Sequence, residues 1–324
     1  MDVAVQLAGM TADRLLATAR QVEELGFSSV YVPDHFADEP VGSGALSDTT
    51  AIPEALTALA GIAAVTSRVR LGAHVLCNLF RHPAVTAHAM ATIDQISRGR
   101  AVLGIGAGWT KSEFDMTGIA YPDIQPRLRM LDEALQVITS LWGERRTTFH
   151  GEFYRLTDAF LTVKPVQTPR PPILLGGSGK GLLRIAARHA DVVNVIVDVG
   201  RAGTVRLDEV ARLTEDAFRA KLDFVRAEAR RHGRTVTLSS TIFMLMVCDD
   251  ERAAAAAVAG VAAGFGLEAT AARRMPMALI GTAEQCVEEL RRRAGAWGIE
   301  HLVVSGLSGV ATIERFARDV LPHV

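Results

Sequence analysis

The stretch Ile173-Leu174-Leu175-Gly176-Gly177-Ser178-Gly179-Lys180-Gly181 runs from a short apolar segment through a glycine-rich turn into residues 182–189. A short apolar run bounded by turn residues is typical of a buried β-strand, and residues 182–189 are predicted to form the helix that follows it. Short β-rich runs alternate with helical patterns from one end of the chain to the other. The number of such strand–helix units therefore decides the fold.

Eight units can be counted. The predicted strands are residues 3–7, 29–32, 69–76, 101–105, 173–175, 192–197, 236–247 and 301–304. The longest predicted helix, about residues 206–232, has apolar side chains three and four positions apart, as at Leu222 and Val225. Eight units in 324 residues predict an α/β fold, the (β/α)8 TIM barrel, which typically needs about 250 residues plus insertions. An open doubly wound sheet is the structural alternative.

Three segments exceed what a minimal barrel requires. They are residues 109–125, 147–172 and 247–280, so insertions are expected after strands 4 and 7. Residues 147–154 are expected to form a small hairpin, and long insertions in such barrels usually lie on the active face. Since no low-complexity linker interrupts the alternation, residues 1–324 are predicted to form a single domain.

Composition and charge disfavour several kinds of partner. The 35 lysine and arginine residues nearly balance the 36 aspartate and glutamate residues, giving a formal net charge of −1, so neither nucleic acid nor an anionic membrane is an expected partner. The first residues lack the pattern of a signal peptide, and Cys77, Cys248 and Cys286 lack metal-ligand spacing. We therefore expect a soluble, cytoplasmic protein with reduced thiols and no metal site.

Polar side chains follow the second predicted strand. In Tyr31-Val32-Pro33-Asp34-His35-Phe36, a carboxylate stands next to an imidazole at the strand end. Function in such barrels lies just beyond the carboxyl ends of the strands, so Asp34 and His35 are candidate catalytic residues, as a proton relay or as an anchor for a heterocycle. The alternative is a loop aspartate that caps backbone amides beside an exposed histidine.

The third and fourth predicted strands carry two unusual features. His74 lies within an apolar run, where a lone histidine is more often a hydrogen-bonded core residue than a catalyst. In Gly104-Ile105-Gly106-Ala107-Gly108-Trp109, glycine takes every second position, so one face of the strand carries no side chain. That face allows a planar ring or another backbone to come close. Alternatively, the glycines fill a crowded inner layer of the barrel.

The glycine-rich turn after the fifth strand is predicted to bind phosphate. The candidate ligands are Gly176, Gly177, Ser178, Gly179 and Lys180. They combine exposed amides, a hydroxyl and an ammonium with the positive end of a helix dipole. The spacing is not that of an ATP-binding Walker loop, and a plain tight turn is the alternative.

Five motifs together carry a resemblance to a known family. They are residues 32–36, 67–72, 97–100, 104–109 and 176–179, in that order and spacing. The chain resembles the bacterial luciferase-like family, which includes flavin-dependent monooxygenases and reductases that use the deazaflavin coenzyme F420. The resemblance covers nearly the whole chain, and residues 171–191 are most similar to the actinobacterial, F420-dependent branch.

The resemblance implies roles for individual residues. A cis peptide bond between His74 and Val75 would buttress the cofactor ring, and the helix after residues 176–179 would hold the cofactor phosphate. Asp34 and His35 would flank the ring. The residues implied to line it are Asn78, Gly106, Gly108 and Ser112.

Trp109 departs from the sugar-phosphate dehydrogenases of the family, in which an acidic residue takes its place. An indole cannot exchange protons, so glucose-6-phosphate oxidation is not expected. A flat apolar wall indicates a larger, less polar substrate and assigns Trp109 to the substrate pocket.

The resemblance therefore implies an F420-dependent oxidoreductase that transfers a hydride between the deazaflavin and a C=C, C=N or C=O group of a small organic substrate. His35 is the candidate proton donor or stabiliser of developing charge. The alternative is a monooxygenase using FMN, supplied reduced by a partner. Lys180 and nearby arginines favour the deazaflavin, since only that cofactor carries an acidic tail. A non-catalytic cofactor binder or light emitter, and a flavin-free barrel for a phosphorylated metabolite, are further alternatives. Relatives imply a homodimer.

Overall fold

A computed structural model describes residues 1–40, 43, 45–197 and 207–324. The strands are β1 (Asp2–Gln6), β2 (Ser29–Val32), β3 (Arg70–Ala73), β4 (Leu76–Cys77), β5 (Ala101–Gly106), β6 (Thr147–His150), β7 (Arg155–Ala159), β8 (Ile173–Gly177), β9 (Val192–Val195), β10 (Thr237–Ile242), β11 (Met244–Val247), β12 (Ala278–Gly281) and β13 (His301–Ser305). The helices are α1 (Ala12–Glu24), α2 (Ala55–Val65), α3 (Pro83–Ser97), α4 (Lys111–Thr117), α5 (Ile124–Gly143), α6 (Lys180–His189), α7 (Leu207–Arg212), α8 (Glu215–Arg231), α9 (Glu251–Phe265), α10 (Ala269–Arg273), α11 (Ala283–Trp297) and α12 (Val310–Asp319).

Eight strand positions close into a ring. β1 pairs with β2 and β13, and the order continues through β3, β5, β8, β9 and β10 back to β13, with every pair parallel. The short β4 continues the position of β3 and also pairs with β5. The predicted TIM barrel is confirmed, and the open-sheet alternative is wrong.

Two predicted strands are divided in the structure. The predicted strand 69–76 becomes β3 and β4, separated by the cis peptide bond between His74 and Val75. The predicted strand 236–247 becomes β10 in the barrel and β11, which pairs with β12 in a separate two-stranded sheet. Residues 242–247 are apolar throughout, so the pattern did not reveal the second break. The first break lies at His74, where the resemblance implied the cis peptide bond.

The longest predicted helix is also two elements. Within the described part of residues 206–232, α7 ends at Arg212 and α8 begins at Glu215. Thr214 starts the new helix, because its hydroxyl accepts the amide of Ala217 at 3.2 Å. The hairpin predicted for residues 147–154 is present but longer, since β6 pairs antiparallel with β7, which extends to Ala159.

Two long stretches depart from the simple alternation. Between β5 and β8 lie α4, α5 and the β6–β7 hairpin, and between β10 and α11 lie β11, α9, α10 and β12. The buried Arg293 of α11 holds the second stretch, donating to the carbonyl oxygens of Pro276 and Ala278 at 3.0 and 2.7 Å.

Alternation along the strands separates two packed regions. A small cluster of side chains fills the barrel interior: Ala4, Tyr31, Val102, Leu174 and Val303. Their neighbours along the strands belong to the larger core between strands and helices. Because both faces of these strands are buried, most of the strands are rich in apolar residues, which explains why they could be recognised in the sequence. The exception is β10, in which four of the six residues are Ser or Thr.

At the amino end of the barrel, two side chains fasten the backbone. Glu23 accepts the amides of residues 67–69 at 2.6–2.9 Å. Partial burial alone would raise the pKa of Glu23, but these N–H donors hold that pKa at about 2. Arg100 donates to the carbonyl oxygens of Ala63 and Thr66 at 3.0 and 2.9 Å and so closes the carboxyl end of α2.

Because β3 and β5 approach closely, a side chain at Gly104 should destabilise the protein. A Cβ at Gly104 would lie 1.8 Å from the carbonyl oxygen of Ala73. We expect Gly104→Ala to lower the free energy of unfolding by about 3 kcal/mol or more, because two strand backbones must separate. Guanidinium chloride unfolding measures this loss. The control Gly264→Ala, where a Cβ meets nothing within 4 Å, should be neutral or stabilising by up to about 1 kcal/mol. Equal effects would contradict the close approach.

Candidate active site

The predicted site residues meet at one mouth of the barrel, because the carboxyl ends of parallel strands lie at the same end. They are Asp34 and His35 after β2, His74, Val75 and Asn78 around β3 and β4, Gly106, Gly108, Trp109 and Ser112 at and after β5, and Gly176, Gly177, Ser178, Gly179 and Lys180 from the end of β8 into α6. Their contacts divide them into groups with different partners.

Val75 stands in the gap that the glycines leave. A Cβ at Gly106 would lie 2.8 Å from Cγ2 of Val75, and one at Gly176 would lie 3.4 Å from Cγ1. The peptide bond between His74 and Val75 is cis, as the resemblance implied, and Gln6 Nε2 donates to the His74 carbonyl at 3.1 Å. The bare face of β5 therefore accommodates another backbone and the half-buried side chain of Val75.

The buried carboxylate of Asp34 is fully paired. Its oxygens accept from Arg81 at 2.7 and 2.8 Å, and Oδ2 also accepts the amide of Cys77 at 2.8 Å. Arg81 binds Glu54 as well. Asp34 thus connects the end of β2 to the segment that follows the cis peptide bond. Its contact with a backbone amide fits an aspartate that caps backbone amides better than one that transfers a proton.

His35 is paired with a carboxylate that sequence reasoning missed. Glu113 is buried in α4, and its Oε2 lies 2.7 Å from Nδ1 of His35. Its Oε1 accepts the amides of Phe36 and Ala37 at 2.5 and 3.2 Å. Asp34 and His35 therefore hold separate partners rather than one shared relay. The available signal was weak: a glutamate in the first turn of a short helix after the glycine strand.

Trp109 borders His35 on another side. The two ring centroids are 5.5 Å apart with the planes at 76°, an edge-to-face contact. The Tyr121 hydroxyl donates to the Trp109 carbonyl at 2.8 Å and fixes this loop. A run of aromatic rings, with neighbouring centroids 4.6–5.2 Å apart, lies at the same mouth: Phe36, Phe80, Phe114 and Tyr121. His35 therefore stands beside an aromatic surface.

Asn78 and Ser112 already have protein partners. Asn78 Nδ2 donates to the Tyr154 hydroxyl at 3.3 Å, and the Ser112 hydroxyl donates to Glu39 at 2.5 Å. By contrast, among the residues that the structure describes, neither the buried hydroxyl of Thr110 nor Oε1 of Glu39 has a hydrogen-bond partner. A polar group bound at the mouth could satisfy both atoms.

The glycine-rich turn leaves room at the start of α6. Gly179 immediately precedes the helix, and a Cβ there would meet nothing within 4 Å. The first amides of a helix lack intrahelical acceptors, which makes this end suited to an anion. Lys221 of α8 reaches the same turn, where its Nζ donates to the Ser178 carbonyl at 3.1 Å.

Beneath the mouth, polar side chains cross the barrel interior. Ser239 Oγ lies 2.7 Å from Nδ1 of His301 and accepts from Asn194 Nδ2 at 2.7 Å. Burial lowers the pKa of His301 to about 4. Burial likewise lowers the pKa of His74 to about 4. Both imidazoles are therefore neutral at pH 7.

Two further features concern the described residues alone. They contain no group of three or more His, Cys, Asp or Glu side chains placed to hold a metal ion. Within the same ranges, no helix is both long enough and apolar enough to cross a membrane.

Comparison with known proteins assigns the family. The sequence model of the luciferase-like monooxygenases matches residues 2–301. The chain belongs to this family. The resemblance carried by the five motifs is confirmed.

Relatives of this luciferase-like chain differ in cofactor. An F420-dependent glucose-6-phosphate dehydrogenase of Kineococcus radiotolerans is 40% identical over 179 residues, which are 55% of this chain and 50% of that relative. The chain thus spans about half the length of the dehydrogenases it matches. An FMNH2-dependent dimethylsulfone monooxygenase of Pseudomonas putida is 28% identical over 302 residues, covering 84% of this chain and 78% of that protein.

A solved structure shares the fold. An F420-dependent secondary alcohol dehydrogenase, in complex with an F420–acetone adduct, matches with a TM-score of 0.76 and 21% identity over 100% of this chain and 99% of that chain. At this identity the likeness concerns the architecture.

The lowered pKa values of His301 and His74 predict a loss of stability in acid. The unfolded imidazoles bind protons near pH 6.5, whereas folded His301 and His74 do so only near pH 4, so stability falls as the pH drops through this window. Each histidine contributes a slope of up to about 1.4 kcal/mol per pH unit. We expect His301→Gln to remove one histidine's share between pH 6 and 4.5, as measured by urea unfolding. An unchanged slope would contradict the assignment.

Proposed function

We propose that this luciferase-like chain is an oxidoreductase that binds coenzyme F420 at the carboxyl mouth of its barrel. It would transfer a hydride between the deazaflavin and a C=C, C=N or C=O group of an organic substrate. One observation carries the proposal: the open glycine turn of α6, the wall at Val75 and the imidazole of His35 share one mouth. The F420-dependent names among the relatives support the same cofactor.

The residues at the mouth fit a tricyclic ring with a phosphate. The open space at Gly179 and the first amides of α6 suit the phosphate, while Val75 offers an apolar support to one ring face. The unpaired atoms of Thr110 and Glu39, in the part of the chain that is described, suit polar groups of the ligand. In this proposal Asn78 and Ser112 contribute to the walls around the ring.

Cations near the turn favour F420 over FMN. Lys180 Nζ and the Arg184 guanidinium carbon lie 5.9 and 5.4 Å from the centroid of Phe224, and Lys221 contacts the turn itself. An acidic tail, which only the deazaflavin carries, would meet these charges. The FMN-dependent monooxygenase is the second candidate, because a relative named for FMNH2 covers most of this chain.

The chain's own residues would orient the reactants and handle one proton. When bound in reduced form, the deazaflavin supplies the hydride. Nε2 of His35, the ring nitrogen that does not contact Glu113, is the proposed proton donor. Asp34 would not contact the reacting atoms, because its carboxylate oxygens already accept hydrogen bonds from Arg81 and the Cys77 amide. It would hold the cis-peptide segment against the ring.

The proposed substrate is less polar than a sugar phosphate. Trp109 places an indole beside His35, and Phe36 is 51% exposed at the same mouth. Such surfaces bind flat or apolar molecules better than hydrated, charged ones. Glucose-6-phosphate, named for the Kineococcus relative, is therefore not the substrate proposed for this chain.

Three further features belong to the same proposal. Residues 1–324 would act as one catalytic domain, two copies would form a homodimer, and a separate reductase would supply the reduced cofactor in the cytoplasm. Analytical ultracentrifugation of the purified chain tests the dimer, with a single monomeric species as the contrary result.

Ser178→Asp tests the cofactor and its phosphate site together. Isothermal titrations with F420 and with FMN should show tighter binding of F420 to the natural protein. The variant should bind F420 about 10²-fold more weakly, because it adds a carboxylate at a buried residue of the turn proposed to bind the phosphate. The control Ala256→Asp adds the same charge on the exposed face of α9 and should change nothing. Unchanged affinity in Ser178→Asp would remove the phosphate assignment, and preference for FMN would favour the second candidate.

His35→Ala separates chemistry from binding. We expect kcat to fall by about 10²- to 10⁴-fold, the usual contribution of a general acid, while the Kd for F420 changes far less. Stopped-flow absorbance of the deazaflavin and binding titrations measure the two quantities. His88→Ala, an exposed position of α3, is the matched control. Parallel losses of kcat and affinity would reduce His35 to part of the binding wall.

A further inference from the structure

Glu113 connects helix α4 to the loop after β2 through its contact with His35. It lies in α4, 78 residues along the chain from the imidazole it contacts. The side chain of Glu113 is 1% exposed, whereas that of His35 is 27% exposed. The imidazole is therefore anchored on its buried edge and accessible elsewhere.

The contacts of Glu113 permit one arrangement of protons. A carboxylate has only acceptors. Its Oε1 receives the amides of Phe36 and Ala37, which donate and cannot accept. Its Oε2 lies 2.7 Å from Nδ1 of His35, so the hydrogen between these two atoms belongs to Nδ1. In the neutral imidazole, Nε2 is then a bare acceptor.

We infer that Glu113 is a positioning residue that selects the Nδ1–H tautomer of His35 and reserves Nε2 for the substrate. The inference rests on the proposed function and deepens it. For a C=O substrate, the proton leaves Nε2 of the imidazolium and forms the new O–H bond, while the carbon receives the hydride of the reduced cofactor. In reverse, bare Nε2 takes the hydroxyl proton as the hydride leaves carbon. The Glu113 carboxylate stabilises the cationic ring in both directions.

Glu113→Gln reverses this arrangement without changing the shape of the side chain. The carboxamide oxygen must stay on the amides of Phe36 and Ala37, so the NH2 group faces His35. Nδ1 then has to accept, and the proton moves to Nε2. Nitrogen-15 NMR of histidine-labelled protein reads the tautomer without cofactor, and His35→Gln assigns the signal. We expect Nδ1–H in the natural protein and Nε2–H in Glu113→Gln.

Kinetics and binding show whether the tautomer matters to turnover. In Glu113→Gln, kcat should fall by about 10²-fold or more, while the Kd for F420 changes less than about threefold. Glu113→Asp keeps the charge and should retain Nδ1–H and part of the lost kcat. Asp115→Asn makes the same carboxylate-to-amide change on the same helix, at a side chain that is 63% exposed, and should leave kcat and tautomer unchanged.

Three results would overturn the inference: Nε2–H in the natural protein, an unchanged tautomer in Glu113→Gln, or a reversed tautomer with unchanged kcat. The first needs no variant, so it stands even where a substitution prevents folding. If the natural protein binds no F420, the proposed function fails by itself. The tautomer measurement then still decides what Glu113 does to His35.

Discussion

The contact between the β3 and β5 backbones determines the geometry of the barrel mouth. A Cβ at Gly104 cannot coexist with the Ala73 carbonyl, and one at Gly106 would collide with Val75. The absence of side chains at Gly104 and Gly106 therefore allows the chain after β3 to pass close to β5. From this point the chain reaches Cys77, whose amide binds Asp34. The rigid part of the mouth is thus built from backbone proximity, and the polar contacts follow from it.

The barrel could be predicted from the sequence because its strands are buried on both faces. Most such strands are apolar runs, and eight strands separated by helical segments allow few other folds. The same continuity hid the breaks inside runs. Phe243, between β10 and β11, is as apolar as its neighbours, and Thr214 interrupts a helical pattern through a single hydroxyl. A one-residue change of direction leaves no mark on a hydrophobic pattern.

The sequence indicated where the candidate site residues lie in the barrel, but not which residues they contact. Strand ends mark where functional side chains gather, so His35 could be proposed from its place after β2. Its partner Glu113 is 78 residues away, and the partner of Asp34, Arg81, is 47 residues away. Contacts across such distances depend on three-dimensional closure, which spacing along one chain does not encode. Adjacent residues with different partners, as Asp34 and His35 are, show the same limit.

The fastening at the base of the barrel has an evolutionary consequence. Glu23 accepts hydrogen bonds from backbone amides, and Arg100 donates to backbone carbonyls. These contacts do not depend on which side chains line the carboxyl end of the barrel. Substitutions at the carboxyl end, such as those around Trp109, lie at the other end of the barrel from these contacts. Their effects on the free energy of unfolding should therefore add to those of changes at Glu23 or Arg100. Proteins that share this barrel can therefore differ in the molecules they bind while the contacts at the amino end keep the barrel stable.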